Sequence, residues 1–140
     1  MMFNSKGLII FQLDKMNKLF KIPVTYTDQY QLTMAQSYYF KGQWEQKAIF
    51  DYFFRKIPFD GGYAIFAGLE NLLDTLENFQ FNNEELEFMK SWGFDPEFIE
   101  YLKKFRFKGT IYSSQEGDLV FPVRPVLRVE GDIIESQIIE

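Results

Sequence analysis

The sequence predicts an α+β domain, and three observations carry that prediction. Apolar residues recur at helical spacing through the middle of the chain, an aromatic and β-branched run precedes them, and from Gly109 the pattern changes to short strands broken by Gly and Pro. With 140 residues, 46% of them hydrophobic and 19% aromatic, the chain can bury one ordinary core. No repeat, low-complexity tract or linker divides it.

The first helix has two overlapping capping pairs, Thr25 with Asp28 and Asp28 with Gln31, which start it near Tyr26 to Asp28. At about 100° per residue Leu32, Ala35, Tyr38 and Tyr39 share a face centred on Ala35, and Tyr30 lies roughly 140° away. An aromatic in the first turn and off the core stripe has no packing role of its own. Next, Lys47 to Lys56 reads as a mostly buried strand, with Ala48, Phe50, Tyr52 and Phe54 on one face and Asp51 and Arg55 on the other.

Pro58 and the Gly61-Gly62 pair break that strand; the pair reads as a turn rather than a phosphate cradle. Gly62 to Phe66 leads into a helix whose stripe of Leu69, Leu72, Leu73, Leu76 and Phe79 predicts core. Asn82 caps the next helix, with Leu86, Met89 and Trp92 facing inward and Gly93 as its stop. Glu84, Glu85 and Glu87 read as a solvated face of that helix and not as a metal site. Asp95-Pro96 then supplies a cap and a first-turn proline for a helix with Phe98, Ile99, Leu102 and Phe105 on its apolar face.

Strands are predicted over Thr110 to Tyr112, Leu119 to Phe121 and Val126 to Val129, with a turn at Glu116-Gly117-Asp118. Asp132 with Glu135 is a last capping pair, and Ile133, Ile134, Ile138 and Ile139 begin an apolar helix ending at Glu140, whose charge opposes the helix dipole. The expectation is a helix overhanging the domain, in the front part of a longer protein.

Composition narrows the chemistry. A net charge of −5 without a basic run excludes a nucleic-acid footprint. The chain has no Cys and no His, which removes disulfides, zinc fingers and thiol or imidazole catalysis from these residues and fits a cytoplasmic protein. Gly7 to Leu13 is too short to span a membrane and lacks a small-residue cleavage site. Met16 is an alternative start to Met1, with residues 1–15 then an upstream extension.

Three long segments, TDQYQLTMAQSYYFKG (27–42), AIFDYFFRKIPFDGGYAIFAGLENLLDTLENF (48–79) and EGDLVFPVRPVLRVEGDIIESQIIE (116–140), together resemble the N-terminal region of the nicotinate phosphoribosyltransferase family. The resemblance implies an α/β-hammerhead-like domain with antiparallel strands and several short helices, over 24–131. Residues 1–23 would be an extension and lead-in, and 132–140 the start of a helix leading to a β/α barrel that these residues do not include. It implies a type II phosphoribosyltransferase, which makes nicotinate mononucleotide and pyrophosphate from nicotinate and phosphoribosyl pyrophosphate with ATP hydrolysis, in NAD synthesis. Mg²⁺ and ATP serve the full-length enzyme, and the family's catalytic His belongs to the barrel. Family homodimers place this domain of one subunit over the barrel mouth of the other.

By resemblance Tyr30 stacks on the pyridine ring, Asp28 lies near the ring and its ribosyl acceptor, and Arg55 reaches a phosphate group. Each has a plainer reading: a surface aromatic for Tyr30, a helix cap for Asp28, and a solvated or Asp51-paired strand end for Arg55. No catalytic residue and no metal ligand is assigned here, and the isolated chain is expected to be inactive. Two rivals stand beside the enzyme. A biotinyl- or lipoyl-type carrier would need a Lys at a hairpin tip, where this chain has Glu116-Gly117-Asp118; a stand-alone dimerisation or regulatory domain would pair through an exposed Ile133 to Ile139 surface.

Overall fold

In the computed structural model, which describes residues 23, 25–57 and 61–140, ten elements follow one another. They are α1 (Gln29–Phe40), β1 (Lys47–Tyr52), β2 (Ala64–Ile65), α2 (Leu69–Glu77), α3 (Asn83–Ser91), α4 (Pro96–Lys103), β3 (Thr110–Ser113), β4 (Leu119–Val120), β5 (Leu127–Asp132) and α5 (Ile133–Ile139). The α+β expectation is met. The start-site question, the lead-in over 1–22 and the break at Pro58 lie outside the described residues.

Capping and periodicity build α3 and α4 as the sequence predicts. Asn82 accepts from the Glu85 amide at 2.9 Å while the Glu85 carboxylate accepts from the Asn82 amide at 2.8 Å, a reciprocal pair that satisfies two otherwise orphaned donors. Glu85 is therefore buried at the helix start rather than part of a solvated face; Glu84 and Glu87 stay exposed. Gly93 adopts φ +88° where α3 stops, and Asp95 accepts from the Glu97 amide at 2.8 Å with Pro96 opening α4.

The core joins Leu32 and Ala35 of α1 to Leu86 and Met89 of α3, Phe98, Ile99 and Leu102 of α4, and Ile134 and Ile138 of α5, with Phe81, Phe94 and Phe105 between helices. Tyr39 and Tyr101 pack on it, their ring centroids 5.0 Å apart, and Tyr39 also approaches Phe98 at 5.7 Å. Such ring pairs add about 0.5–1.5 kcal/mol each beyond the area they bury.

Two corrections concern apolar stripes. Of the leucines in α2 only Leu76 is buried, and Leu73 is 39% exposed, because the helix lies along one wall of a groove instead of entering the core. Trp92 follows the last turn of α3 and is 51% exposed, its ring packed outside against Phe88 in a tilted arrangement with centroids 4.7 Å apart. A third correction concerns the end of the chain. α5 does not overhang: it packs against α1, with Ile134 fully buried and Ile138 nearly so. The exposed isoleucine surface on which the stand-alone dimerisation reading depended is absent from this helix, although Ile133 and Ile139 keep partial exposure. Asp132 occupies the N-cap position of α5, but its side chain makes no capping bond.

The sheet runs in the order β1-β5-β3, all antiparallel, with Lys47 opposite Asp132, Tyr52 opposite Leu127, and Thr110 opposite Glu130. β1 is an edge strand and stops at Tyr52, not Lys56. It is also not mostly buried: Ile49 and Tyr52 are 60% and 62% exposed, since one flank of the strand has no neighbour among the described residues. β5 is longer than predicted and runs directly into α5. Gly109 enters β3 where a Cβ would stand 2.8 Å from the Glu130 carbonyl oxygen, so only glycine fits this crossing. β2 and β4 form a separate two-stranded ribbon.

Beyond β1 the ladder continues through single bonds: the Val126 amide donates to the Tyr52 carbonyl and the Val123 amide to the Phe54 carbonyl, both at 2.9 Å. These bonds position the backbone just before Arg55. Val123 holds φ +61°, a left-handed conformation that a β-branched side chain adopts only under constraint.

Candidate functional site

Asp28 and Tyr30 stand together at the start of α1. Asp28 occupies the N-cap position with extended backbone (φ −66°, ψ 135°), and its carbonyl accepts from the Gln31 amide at 2.9 Å. Its carboxylate makes no capping bond, so the cap reading of this side chain fails. Tyr30 is 52% exposed in the first turn, on the side of the helix away from Leu32 and Ala35, where the wheel places it. An exposed aromatic ring, and two positions before it a carboxylate that makes no hydrogen bond among the described residues, can meet a flat ring and a neighbouring centre of positive charge.

Arg55 departs from the sequence reading in two respects. The strand has ended before it, so the two-residue alternation no longer governs its direction, and it lines a groove together with residues of both predicted faces, Asp51 as well as Phe50 and Tyr52. Asp51 is not its partner: the Asp51 carboxylate accepts from Arg128 Nε at 2.7 Å and from Nη2 at 3.1 Å, a fork-like pair across β1 and β5. Arg128 accordingly holds the Asp51 carboxyl below its ordinary value. Arg55 makes no hydrogen bond or ion pair among the described residues.

The groove has a volume of about 500 Å³. Its floor is the sheet face of Phe50, Ile111, Leu127 and Val129, its wall is Leu69, Leu72 and Leu76 of α2, and Gln31, Asp51, Arg55 and Glu140 bring polar groups to it. Tyr30 and Asp28 do not line it. The three expected residues thus form two groups, an aromatic-carboxylate pair at the tip of α1 and a guanidinium in the groove. Gln31, the residue after Tyr30, belongs to α1 and to the groove at once.

Two residues that position the site escaped the sequence reading. Gln31 is buried although polar; its wheel position, about 40° from Ala35, is the signal that flags it, a polar side chain on a buried stripe. Glu116, at the turn before β4, accepts from the amides of Gly68 and Leu69 at 2.8 and 2.6 Å and so caps α2 from 47 residues away. Nothing local announces that cap. Glu135 is buried at the start of α5, where desolvation pushes its carboxyl up and Asp132 adds to the shift.

The profile of the family described as nicotinate phosphoribosyltransferase (NAPRTase) N-terminal domain matches residues 25–140. The chain belongs to this family. Nicotinate phosphoribosyltransferase of Bacillus subtilis is 47% identical over 116 residues, which cover 82% of this chain and 24% of that protein. The enzyme of the same name from Dictyostelium discoideum is 42% identical over 117 residues, covering 81% of this chain and 20% of its own length. The crystal structure of human nicotinic acid phosphoribosyltransferase superposes with a TM-score of 0.70 at 35% identity, over 80% of this chain and 23% of that one. The chain thus spans about a fifth to a quarter of the length of these nicotinate phosphoribosyltransferases. Among the described residues no helix is long and apolar enough to cross a membrane.

Proposed function

We propose that this chain is the N-terminal part of a cytoplasmic nicotinate phosphoribosyltransferase, acting in NAD synthesis as a homodimer and contributing substrate contacts to the partner subunit's barrel. The observation that carries the reading is at the start of α1: a half-exposed Tyr30 ring two residues after Asp28, whose carboxylate makes no capping bond, inside a segment that the family match covers.

In the proposed reaction the pyridine nitrogen of nicotinate forms a bond to C1 of the phosphoribosyl group. The C1–O bond breaks, and its electron pair leaves with pyrophosphate. Tyr30 offers the ring an offset-stacking platform that orients its nitrogen. Asp28 opposes the positive charge that develops on the ribosyl centre, and Arg55 receives a phosphate through a planar fork that suits two oxygens at once.

ATP hydrolysis and Mg²⁺ belong to the proposal for the full-length enzyme. Among the described residues no group of three or more Asp or Glu side chains gathers to hold a metal ion, so no residue here is assigned to Mg²⁺. When bound, the ion would neutralise charge on the departing pyrophosphate. The family's catalytic His has no counterpart here, because the chain contains no His; the isolated chain is accordingly proposed to be inactive.

The test is steady-state kinetics on a full-length protein carrying this segment. Wild type should convert nicotinate and phosphoribosyl pyrophosphate to the mononucleotide, and Tyr30→Ala should raise the nicotinate KM about two- to tenfold while sparing the KM of the phosphoribosyl substrate. No turnover by wild type would sink the function. An unchanged nicotinate KM and kcat in Tyr30→Ala would remove that residue from the site.

A further inference from the structure

We infer that Gln31 is a further substrate-binding residue, donating through its amide nitrogen to an oxyanion of the ligand that Arg55 holds. This rests on the function proposed above and adds a contact to the same site.

Gln31 is more than nine-tenths buried, at 7% exposure, yet it lines the groove that Arg55 also lines. Its amide orientation follows from elementary chemistry. Gln137 Nε2 lies 3.2 Å from a Glu140 carboxylate oxygen, and an ionised carboxylate only accepts, so the Gln137 atom facing it is the nitrogen. The same nitrogen donates to Gln31 Oε1. The Gln31 oxygen is thereby committed to α5, and the group left for the groove is its NH₂.

That NH₂ has no acceptor among the described residues, where a buried donor ordinarily finds one. It is also not sealed away: the one fully enclosed side-chain atom without a partner among the described residues is Ser136 Oγ. A buried, oriented donor and a guanidinium without an ion-pair partner among the described residues face one groove with apolar walls. The groove's two carboxylates are already engaged, Asp51 by Arg128 and Glu140 by Gln137. That donor and cation match an anionic oxygen on a ligand whose remaining body is less polar. A phosphate of the phosphoribosyl substrate and the carboxylate of nicotinate both supply that chemistry.

The discriminating variant is Gln31→Glu in the full-length protein. It keeps an oxygen for Gln137 to donate to but replaces the groove-facing donor by an acceptor. Steady-state kinetics with each substrate varied, and calorimetric titration of phosphoribosyl pyrophosphate, are the readouts. A hydrogen bond to a charged group predicts about ten- to hundredfold weaker binding of one substrate. A rise confined to phosphoribosyl pyrophosphate identifies its phosphate as the acceptor, and a rise confined to nicotinate identifies its carboxylate. If neither KM nor the titrated affinity changes while wild type turns over, the inference fails and the proposed function stands; an inactive wild type overturns both. Should Gln31→Glu not fold, Gln137→Met decides: it releases the Gln31 amide to rotate and should weaken the same substrate severalfold, whereas a purely structural role lowers Tm and leaves both KM values in place.

Discussion

Val123 is the sharpest test of the fold, because its backbone and its side chain make opposite demands. At φ +61° a β-branched residue carries a penalty of about 1–2 kcal/mol that Asn largely and Gly entirely avoids. The Val123 side chain is 67% exposed, so only about a third of the roughly 1.5–3 kcal/mol available from burying it is realised, on the order of 0.5–1 kcal/mol. Its amide bond to the Phe54 carbonyl at 2.9 Å is backbone and survives substitution. Val123→Asn should therefore stabilise the chain by up to about 1 kcal/mol, roughly 3–5 °C in Tm. Val123→Gly should gain less, because glycine adds about 0.4–1 kcal/mol of conformational freedom to the unfolded chain. Val123→Ala keeps the left-handed penalty, loses the burial and should melt below wild type. Calorimetric melting of the three variants settles the order; an Asn variant no more stable than wild type would show that the left-handed turn is not strained, and the reasoning would fall.

Phe98→Ala, at a fully buried position that stacks near Tyr39 and Tyr101, should cost about 3–5 kcal/mol, measured by urea denaturation. Glu116→Ala should free the Gly68 and Leu69 amides and loosen α2 by about 1 kcal/mol, seen as faster hydrogen exchange in that helix, while Glu116→Gln keeps an acceptor and loses less. Glu135 has a folded-state pKa raised from its ordinary 4.5 by burial first and by Asp132 second. The folded state thus holds this proton more tightly than the unfolded one, so the associated stability is complete below about pH 4.5 and is lost as pH rises through the raised value. Glu135→Gln should flatten that loss: the Tm difference between variant and wild type should move in favour of the variant from pH 4 to pH 7, and a pH-independent difference would contradict it.

Much of the helical part was legible because its determinants are local. Asn82 with Glu85, Gly93, and Asp95 with Pro96 set the boundaries of α3 and α4 within a few residues of themselves, and the spacing of Phe98, Ile99, Leu102 and Phe105 names the buried face of α4 without reference to anything distant. The same wheel placed Tyr30 off the core of α1. Apolarity says that a face wants cover but not what covers it, and here the expectations reversed: the leucines of α2 line a groove, Trp92 lies outside, and Ile134 and Ile138 enter the core.

By itself, then, the sequence determined the α+β class, the caps of α3 and α4, the core face of α4 and the family, all of which depend on neighbours a turn or two apart or on long ordered signatures. Only the tertiary structure decided that Asp51 belongs to Arg128 and not to Arg55, that Glu116 caps α2, and that Gln31 meets Gln137 across 106 residues. Those partners lie on different elements, and a short-range polar bond forms only after sheet register and helix packing have brought its two ends within about 3 Å.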